Sequence, residues 1–287
     1  MMLKQTRLGN SGRQVTAIGL GAMPLSLTDR PNEHDAICVI RAFIEHGGNF
    51  IDTANVYCRD DREVGHNERL INKALKDLHD KHRIIIATKG GLRRPRGGWE
   101  VDANPHWLRL SCEQSLKDLG QDSIFLYQLH APDPEVPLTD SVGELSRLRQ
   151  EGKIRHVGLS NVTVEEIETA MNVVPITSVQ NRCNILQRKP FTNGVVEFCH
   201  QNEISFIAHS PVGGHFDHGK LASNRILNRL GNAHQATSYQ VALAWLLACG
   251  DHILPIPGAS KITSITSSMN AMNIELAKNE LEVLNRL

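Results

Sequence analysis

The sequence has no excess of either charge sign, because 31 lysines and arginines balance 31 aspartates and glutamates. This balance argues against nucleic acid or an anionic membrane surface as the main partner. No apolar run approaches the ~18 residues that a membrane span requires. The first ten residues, MMLKQTRLGN, also lack the apolar core of a secretion signal. Together these absences favour a cytoplasmic protein.

Paired cysteines and recognisable metal motifs are missing as well. Six cysteines are scattered along the chain without a Cys-x-x-Cys pair, which is typical of a reduced protein with free thiols. No two histidines are four residues apart, and there is no His-Glu-x-x-His motif, so we predict no metal site. Low-complexity segments, linkers and charge blocks are absent too. We therefore expect a single domain over residues 1–287.

Apolar segments alternate with amphipathic segments along the whole chain. The apolar segments, which we predict to be strands, are TAIGLGAM (16–23), NFIDT (49–53), IIIATK (84–89), SIFLYQLH (123–130), IRHVGLS (154–160), ITSVQNR (176–182), ISFIAHSP (204–211) and HILPIPG (252–258). The predicted helices span residues 35–46, 67–78, 105–119, 138–150, 164–172, 190–201, 238–248 and 262–270, with a last helix over 276–287. A looser stretch precedes residue 238.

This alternation indicates an α/β fold. The strands are apolar on nearly every residue, as expected of strands that are buried on both faces. Strands that alternate with helices imply parallel pairing through right-handed crossovers, and eight such units predict a closed (β/α)8 TIM barrel. A short N-terminal β-hairpin around Gly9 and Gly12 is predicted to cover one end. The alternative is an open doubly wound sheet, but GLGAMP lacks the third glycine of its usual phosphate-binding turn.

Proton-handling residues follow three of the predicted strands. Asp52 and Tyr57 lie in NFIDTANVY (49–57), Lys89 ends the next apolar run, and His130 ends the one after that. The carboxyl ends of parallel barrel strands share one face, so these side chains are expected to converge there. Asp52 would then pair with the buried ammonium of Lys89.

Such a set is suited to general acid catalysis. A neighbouring cation would lower the pKa of Tyr57 toward the working range, and His130 could orient a carbonyl or share the proton. The alternative is a purely structural ion pair, which would explain Asp52 and Lys89 but neither Tyr57 nor His130.

Seven segments, in this order, resemble those of the aldo-keto reductases. They are IDTANVY, ATKGG, LYQLHAP, EGKIRHVGLSNV (151–162), VQNRCN (179–184), ALAWLL (242–247) and PIPGAS (255–260). The resemblance implies an NAD(P)H-dependent oxidoreductase on a TIM barrel, with Tyr57 as the general acid. The PIPGAS segment is also similar to that of bacterial-type small-aldehyde and pyridoxal reductases.

The resemblance further implies a cofactor site. The matching positions are Ser160, Asn161, Gln180, His209, Ser210, Val212, Gly214, Gly258, Ser260, Lys261, Ser264 and Ser268. Ser160, Asn161 and Gln180 would hold the nicotinamide amide, HSPVGG (209–214) the pyrophosphate, and residues 255–270 the adenosine phosphate. His209 stands where many relatives have tyrosine, and a protonated ring there would repel oxidised cofactor.

Lys261 favours NADPH, with NADH less likely. Ser264 and the Ser267-Ser268 pair stand where the family has arginine and Glu-Asn, which would weaken the grip on the 2′-phosphate.

The expected activity is the reduction of an aldehyde or ketone to an alcohol, with a small carbonyl compound as the partner. The alternative is a non-catalytic NADP(H)-binding regulatory subunit. The basic loop LRRPRGG (92–98) could attract an anionic substrate or form a solvated surface, and Trp99 would line the pocket.

Overall fold

A parallel eight-stranded barrel forms the centre of the protein. The structure, a computed structural model, describes residues 3–287 and, at positions 215 and 216, the backbone alone. Neighbouring barrel strands follow the order of the chain. They are β1 (Leu20–Gly21), β2 (Phe50–Asp52), β3 (Ile85–Gly90), β4 (Ile124–Leu129), β5 (Ile154–Ser160), β6 (Ile176–Arg182), β7 (Ser205–His209) and β8 (Ile253–Ile256).

The barrel closes where β1 meets the end of the last strand. Gly21 forms a parallel bridge with Gly258, and its amide donates to Pro257 O over 3.0 Å. A Cβ atom on Gly21 would lie 2.7 Å from the carbonyl oxygen of Ile256, so this approach requires glycine. The predicted TIM barrel is thereby confirmed. β1 is shorter than the predicted 16–23: Thr16 pairs in the N-terminal hairpin instead, and Met23 begins a 3-10 turn.

Twelve α-helices are described outside the barrel. They are α1 (Glu33–Glu45), α2 (His66–Leu75), α3 (Pro105–Leu119), α4 (Leu138–Gln150), α5 (Val164–Met171), α6 (Lys189–Thr192), α7 (Val195–Gln201), α8 (Gly214–Ser223), α9 (Arg225–Ala233), α10 (Ser238–Ala248), α11 (Ile262–Asn270) and α12 (Lys278–Leu284). Within the described chain, no helix has the length and apolar character needed to cross a bilayer.

Helices α3, α4, α10 and α11 begin and end at the predicted residues, with or without a side-chain cap. Helix α3 begins and ends as predicted, because Asn104 caps its first turn and Gly120 takes a left-handed conformation after its last. The predicted helix 190–201 is instead divided at Gly194, whose φ of 83° interrupts it. The looser stretch before residue 238 contains α8 and α9, and Asn224 caps the second of these.

The hairpin covers the N-terminal end of the barrel, as predicted. Its strands, Gln5–Arg7 and Gln14–Thr16, pair antiparallel. Leu8 and Val15 are fully buried against side chains from the barrel interior, so the hairpin completes the core at that end. The opposite end of the barrel is therefore the one left for a site.

Candidate active site

The four predicted acid–base residues meet at the carboxyl end of the barrel. Asp52 is the last residue of β2, Lys89 lies one residue before the end of β3, and His130 directly follows β4. Tyr57 lies in the loop after β2, in a turn in which its amide donates to Ala54 O. All four side chains are buried.

Lys89 is the centre of this cluster. Its ammonium is fully buried and donates to Asp52 Oδ2 over 2.5 Å, to Thr53 O over 2.9 Å and to the Tyr57 hydroxyl over 3.0 Å. An ammonium has three protons, and each has an acceptor here. Because the phenolic oxygen accepts from Lys89, the phenolic proton itself is left free to be donated elsewhere.

Two amides hold the other oxygen of Asp52. Gln180 Nε2 donates to Asp52 Oδ1 over 2.7 Å, and Gln128 Nε2 donates to the same atom over 3.2 Å. The Gln180 nitrogen, predicted to face the nicotinamide amide, is therefore engaged within the acid–base cluster. Gln128 was not among the predicted residues. Its position two residues before His130 on a strand, and hence on the same face, was the available signal.

The balance of charges differs from the expected one at Tyr57. Burial raises the pKa of Tyr57, and the charge of Lys89 offsets only part of that rise. The expectation that the cation would lower this pKa overall is wrong, because desolvation dominates. Burial also opposes the charge on Lys89, yet Asp52 and Tyr57 outweigh it and raise the lysine pKa. The cluster thus holds a neutral phenol beside a charged ammonium.

His130 is a neutral neighbour of the phenol. Its ring centroid lies 5.7 Å from that of Tyr57, with the rings nearly perpendicular. Burial, together with the nearby Lys89, holds the pKa of His130 well below its usual range. Its Nδ1 is buried and has no hydrogen-bond partner among the described residues. The neutral imidazole is therefore suited to orienting a polar group in the pocket.

Ser160 and Asn161 lie beside this cluster at the end of β5. Asn161 has a left-handed backbone conformation, with φ of 60°. Its Nδ2 donates to His130 O over 2.9 Å and contacts Ser160 Oγ at 3.1 Å. Two of the three residues predicted to face the nicotinamide amide are therefore next to the histidine of the acid–base cluster.

His209 ends β7, and its Nδ1 lies 3.2 Å from Ser210 Oγ. Desolvation, with help from Lys89 and Arg182, lowers the pKa of His209 to about 4. The ring is consequently neutral near pH 7. The repulsion expected between a protonated ring and an oxidised cofactor therefore does not arise.

The following loop has the backbone of an anion-binding concavity. Ser210, Gly213 and Gly214 all have positive φ, at 54°, 90° and 59°. A Cβ atom on Gly214 would lie 2.8 Å from Ser210 Oγ, so a side chain there would fill the turn. The Gly213 amide closes the turn by donating to Ser210 O over 3.0 Å, and Gly213 is the N-cap of α8, whose first N–H groups suit a pyrophosphate. Val212, between these residues, is half-buried against the core.

A second anion-binding feature lies at the start of α11. Lys261 is the N-terminal cap residue of this helix and is exposed, with half-buried Ser260 before it. Exposed N–H groups at a helix start, next to a lysine, suit a phosphate. Ser264 is exposed on the first turn, and Ser268 is half-buried further along. Gly258 comes so close to Pro24 that a Cβ atom would lie 2.7 Å from its ring.

The basic loop does not act as one cationic patch. Arg93 pairs with Asp102, whereas Arg94 is buried and donates from Nε to Cys58 O over 3.1 Å. The Arg94 guanidinium lies 3.7 Å over the ring of Trp99. Trp99, half exposed, has its ring centroid 6.4 Å from that of Tyr57 at 85°. Arg94 thus holds Trp99 beside Tyr57, where the indole forms a wall of the pocket.

Comparisons with known proteins agree with this architecture. Among solved structures, a thermostable aldo-keto reductase in complex with the inhibitor epalrestat superposes with a TM-score of 0.85 and 29% identity, covering 99% of both chains. An aldo-keto reductase from Klebsiella pneumoniae in complex with NADPH superposes with a TM-score of 0.84 and 26% identity, covering 99% of this chain and 95% of that one.

Sequence comparisons point the same way. A probable aldo-keto reductase from Glycine max is 33% identical over 97% of this chain and 87% of its own length. An uncharacterized oxidoreductase from Schizosaccharomyces pombe is 37% identical over 92% of this chain and 83% of its own. The model of the Aldo/keto reductase family matches residues 17–287. This chain therefore belongs to the aldo/keto reductase family of oxidoreductases.

Proposed function

We propose that this protein reduces aldehydes and ketones to alcohols with NADPH, and that Tyr57 delivers the proton. The observation that carries the proposal is the hydrogen bond from Lys89 to the Tyr57 oxygen at 3.0 Å. It leaves the phenolic proton pointing away from the lysine and available to a carbonyl oxygen. Because the phenol is neutral and the ammonium charged, the proton can leave Tyr57 while the negative charge it leaves behind is held by Lys89.

The remaining residues would hold the reacting groups in position and polarise the substrate carbonyl. Asp52 keeps Lys89 charged, and the amides of Gln128 and Gln180 keep Asp52 oriented. Neutral His130 would donate its ring N–H to the carbonyl oxygen and stabilise the negative charge that develops there. Trp99 and His130 flank Tyr57 and would exclude water from the reacting carbonyl.

The two anion-binding features support NADPH as the cofactor. The turn at Ser210, Gly213 and Gly214 would take the pyrophosphate, and the start of α11 with Lys261 would take the adenosine phosphate. Bound NADPH would supply the hydride. Ser160, Asn161 and the flat ring of His209 would surround its nicotinamide, and the neutral state of His209 suits both oxidation states.

The basic test is turnover of 4-nitrobenzaldehyde, followed by NADPH absorbance. The alternative, a non-catalytic NADP(H)-binding regulatory subunit, would bind NADPH by fluorescence titration without consuming it. A panel of carbonyl compounds that includes pyridoxal would then define the substrate class. Turnover of the aldehyde together with NADPH binding supports the proposal, whereas NADPH binding without turnover contradicts it.

Lys261→Glu tests the preference for NADPH over NADH. A lysine near the 2′-phosphate gives an attraction that NADH cannot use, so the KM for NADPH should rise at least tenfold while the KM for NADH hardly changes. Lys278→Glu, which reverses another exposed lysine on α12, is the charge-matched control. Equal changes for both cofactors would mean that Lys261 does not contact the 2′-phosphate.

A further inference from the structure

The end of the barrel opposite the active site carries a cluster of potential metal ligands. His200 lies in the last turn of α7, and Asp251 and His252 directly precede β8. One ligand atom from each of the three lies within 4.8 Å of the others. They line a cavity of about 910 Å³ between this part of the barrel and the N-terminal hairpin.

His252 is oriented as a metal-binding imidazole would be. Its Nε2 lies 3.2 Å from the carbonyl oxygen of Val196, which can only accept, so the ring proton is on Nε2. The lone pair is then on Nδ1, which is buried and has no hydrogen-bond partner within the described structure. Metal-binding histidines commonly donate their other ring N–H to a backbone carbonyl in this way.

Glycine at position 250 permits this placement of the His252 ring. A Cβ atom on Gly250 would lie 2.8 Å from His252 Nδ1, so a larger residue there would displace the imidazole. The His200 and His252 ring centroids are 4.8 Å apart. The backbone of Asp251 is anchored to the hairpin, because the Thr6 hydroxyl donates to its carbonyl oxygen. The ligands therefore come from two separate elements that the fold holds in place.

Charges around the cavity are mixed. Glu203 lines it as a second carboxylate, whereas Arg7 and Arg13 lie on the hairpin side. Two imidazoles with one carboxylate are a donor set for zinc or a similar transition metal rather than for magnesium or calcium.

We propose that His200, Asp251 and His252 bind a divalent transition metal of the zinc class. The ion would join the end of α7 to the start of β8 beneath the hairpin, and water would complete its coordination. Because this face is opposite the catalytic cluster, the ion would stabilise the fold without taking part in the reaction. The spacing of these residues along the chain gave no motif, since His200 is far in sequence from the other two.

The test is zinc binding by calorimetry, with cobalt absorption as a reporter of coordination. Wild type should bind one Zn²⁺ with a rise in melting temperature, and His200→Ala and His252→Ala should each weaken binding at least tenfold. Turnover of the carbonyl substrate should not change in His200→Ala. The matched control is His34→Ala, because His34 Nε2 lies 3.7 Å from Cys38 Sγ in a separate pair that could attract zinc.

The possible outcomes separate clearly. Loss of binding in both cluster variants, with normal binding in His34→Ala, supports the site. Equal binding in all variants means adventitious zinc, and absence of stoichiometric binding in wild type means no site; either result overturns the proposal. Because the readouts are affinity and melting temperature, they are independent of whether the protein reduces carbonyl compounds.

Discussion

Two neighbouring residues on β3 show that buried polar groups on the two faces of this barrel differ in how completely they are hydrogen-bonded. Lys89 points into the barrel, where all three of its protons have acceptors. Thr88 points outward and donates to Glu68 Oε1 on α2 over 2.6 Å, whereas Glu68 Oε2 has no partner within the described structure. On the inner face, each proton of the Lys89 ammonium has an acceptor. On the outer face, only one of the two Glu68 carboxyl oxygens has a hydrogen-bond partner among the described residues.

The contrast between the two acids, Asp52 and Glu68, follows from this difference in hydrogen bonding. Asp52, bonded to Lys89 and to two amides, serves as a fixed negative charge. Burial instead raises the pKa of Glu68 to about 7, and the hydrogen bond from Thr88 opposes only part of that rise. A buried carboxyl without a cation is more stable when it is protonated. The lesson is that pairing, and not burial alone, determines which buried group keeps its charge.

The strongest way to break the comparison is Lys89→Met. It removes the cation beside Tyr57, so kcat should fall by roughly 10²–10⁴, and it leaves Asp52 buried without its ion, so the free energy of unfolding should fall by about 3 kcal/mol. Urea unfolding and steady-state kinetics measure the two effects. Lys153→Met, which breaks pairs with Glu113 and Glu151 near the surface, should cost less than about 1 kcal/mol. A fully active Lys89→Met protein would end the proposed mechanism.

Tyr57→Phe separates chemistry from stability. Removing the phenolic proton should lower kcat by roughly 10²–10⁴, whereas the NADPH affinity should stay near that of wild type. Tyr127→Phe is the matched control, because that buried hydroxyl lacks a hydrogen-bond partner among the described residues. Its removal should leave turnover unchanged. If Tyr57→Phe keeps more than about a tenth of wild-type kcat, Tyr57 is not the general acid.

Glu68→Gln sharpens the comparison through pH. Glu68 binds its proton more tightly in the folded state, so it stabilises the fold below its ordinary pKa of 4.5, and this contribution is lost as the pH rises through about 7. The neutral variant lacks that dependence. Relative to wild type, its free energy of unfolding should therefore rise by roughly 3 kcal/mol between pH 4 and pH 8. Parallel pH profiles for the two proteins would show that Glu68 titrates normally.

Thr88→Val has the smallest expected effect. It removes the hydroxyl that donates to Glu68 Oε1 and keeps the side-chain shape, so the loss in stability should be about 1–2 kcal/mol at pH 5. Turnover should stay within about twofold of wild type, because the outer face of β3 does not contact the reacting groups. A large loss of kcat would instead mean that the two faces of the strand are coupled.

Sequence reasoning predicted the part of the site that depends on strand ends. Asp52, Lys89 and His130 each end an apolar run, and the closure of eight parallel strands brings such positions together regardless of detailed packing. The barrel followed from the alternation of apolar and amphipathic segments, and the hairpin from the glycines at positions 9 and 12. These features depend on local pattern and on topology, which the chain displays directly.

Other features depend on contacts between distant segments. The bonds from Gln128 and Gln180 to Asp52 require the register of three strands, which apolar pattern alone does not give. The direction of the Tyr57 pKa shift is set by a competition between burial and a cation, and the sequence shows the cation only. The break between α6 and α7 likewise depends on the conformation that Gly194 adopts in the fold.

The bridge between Gly21 and Gly258 has a consequence for biosynthesis. Its two partners are separated by nearly the whole chain, so the barrel cannot close until β8 has left the ribosome. Until then, β1 and its neighbours are an open sheet with an unpaired edge, which is the kind of surface that pairs with other chains. A chaperone that protects nascent sheet edges would therefore affect the yield of this protein more than its final stability. The effect would end once Gly21 and Gly258 pair and the barrel closes.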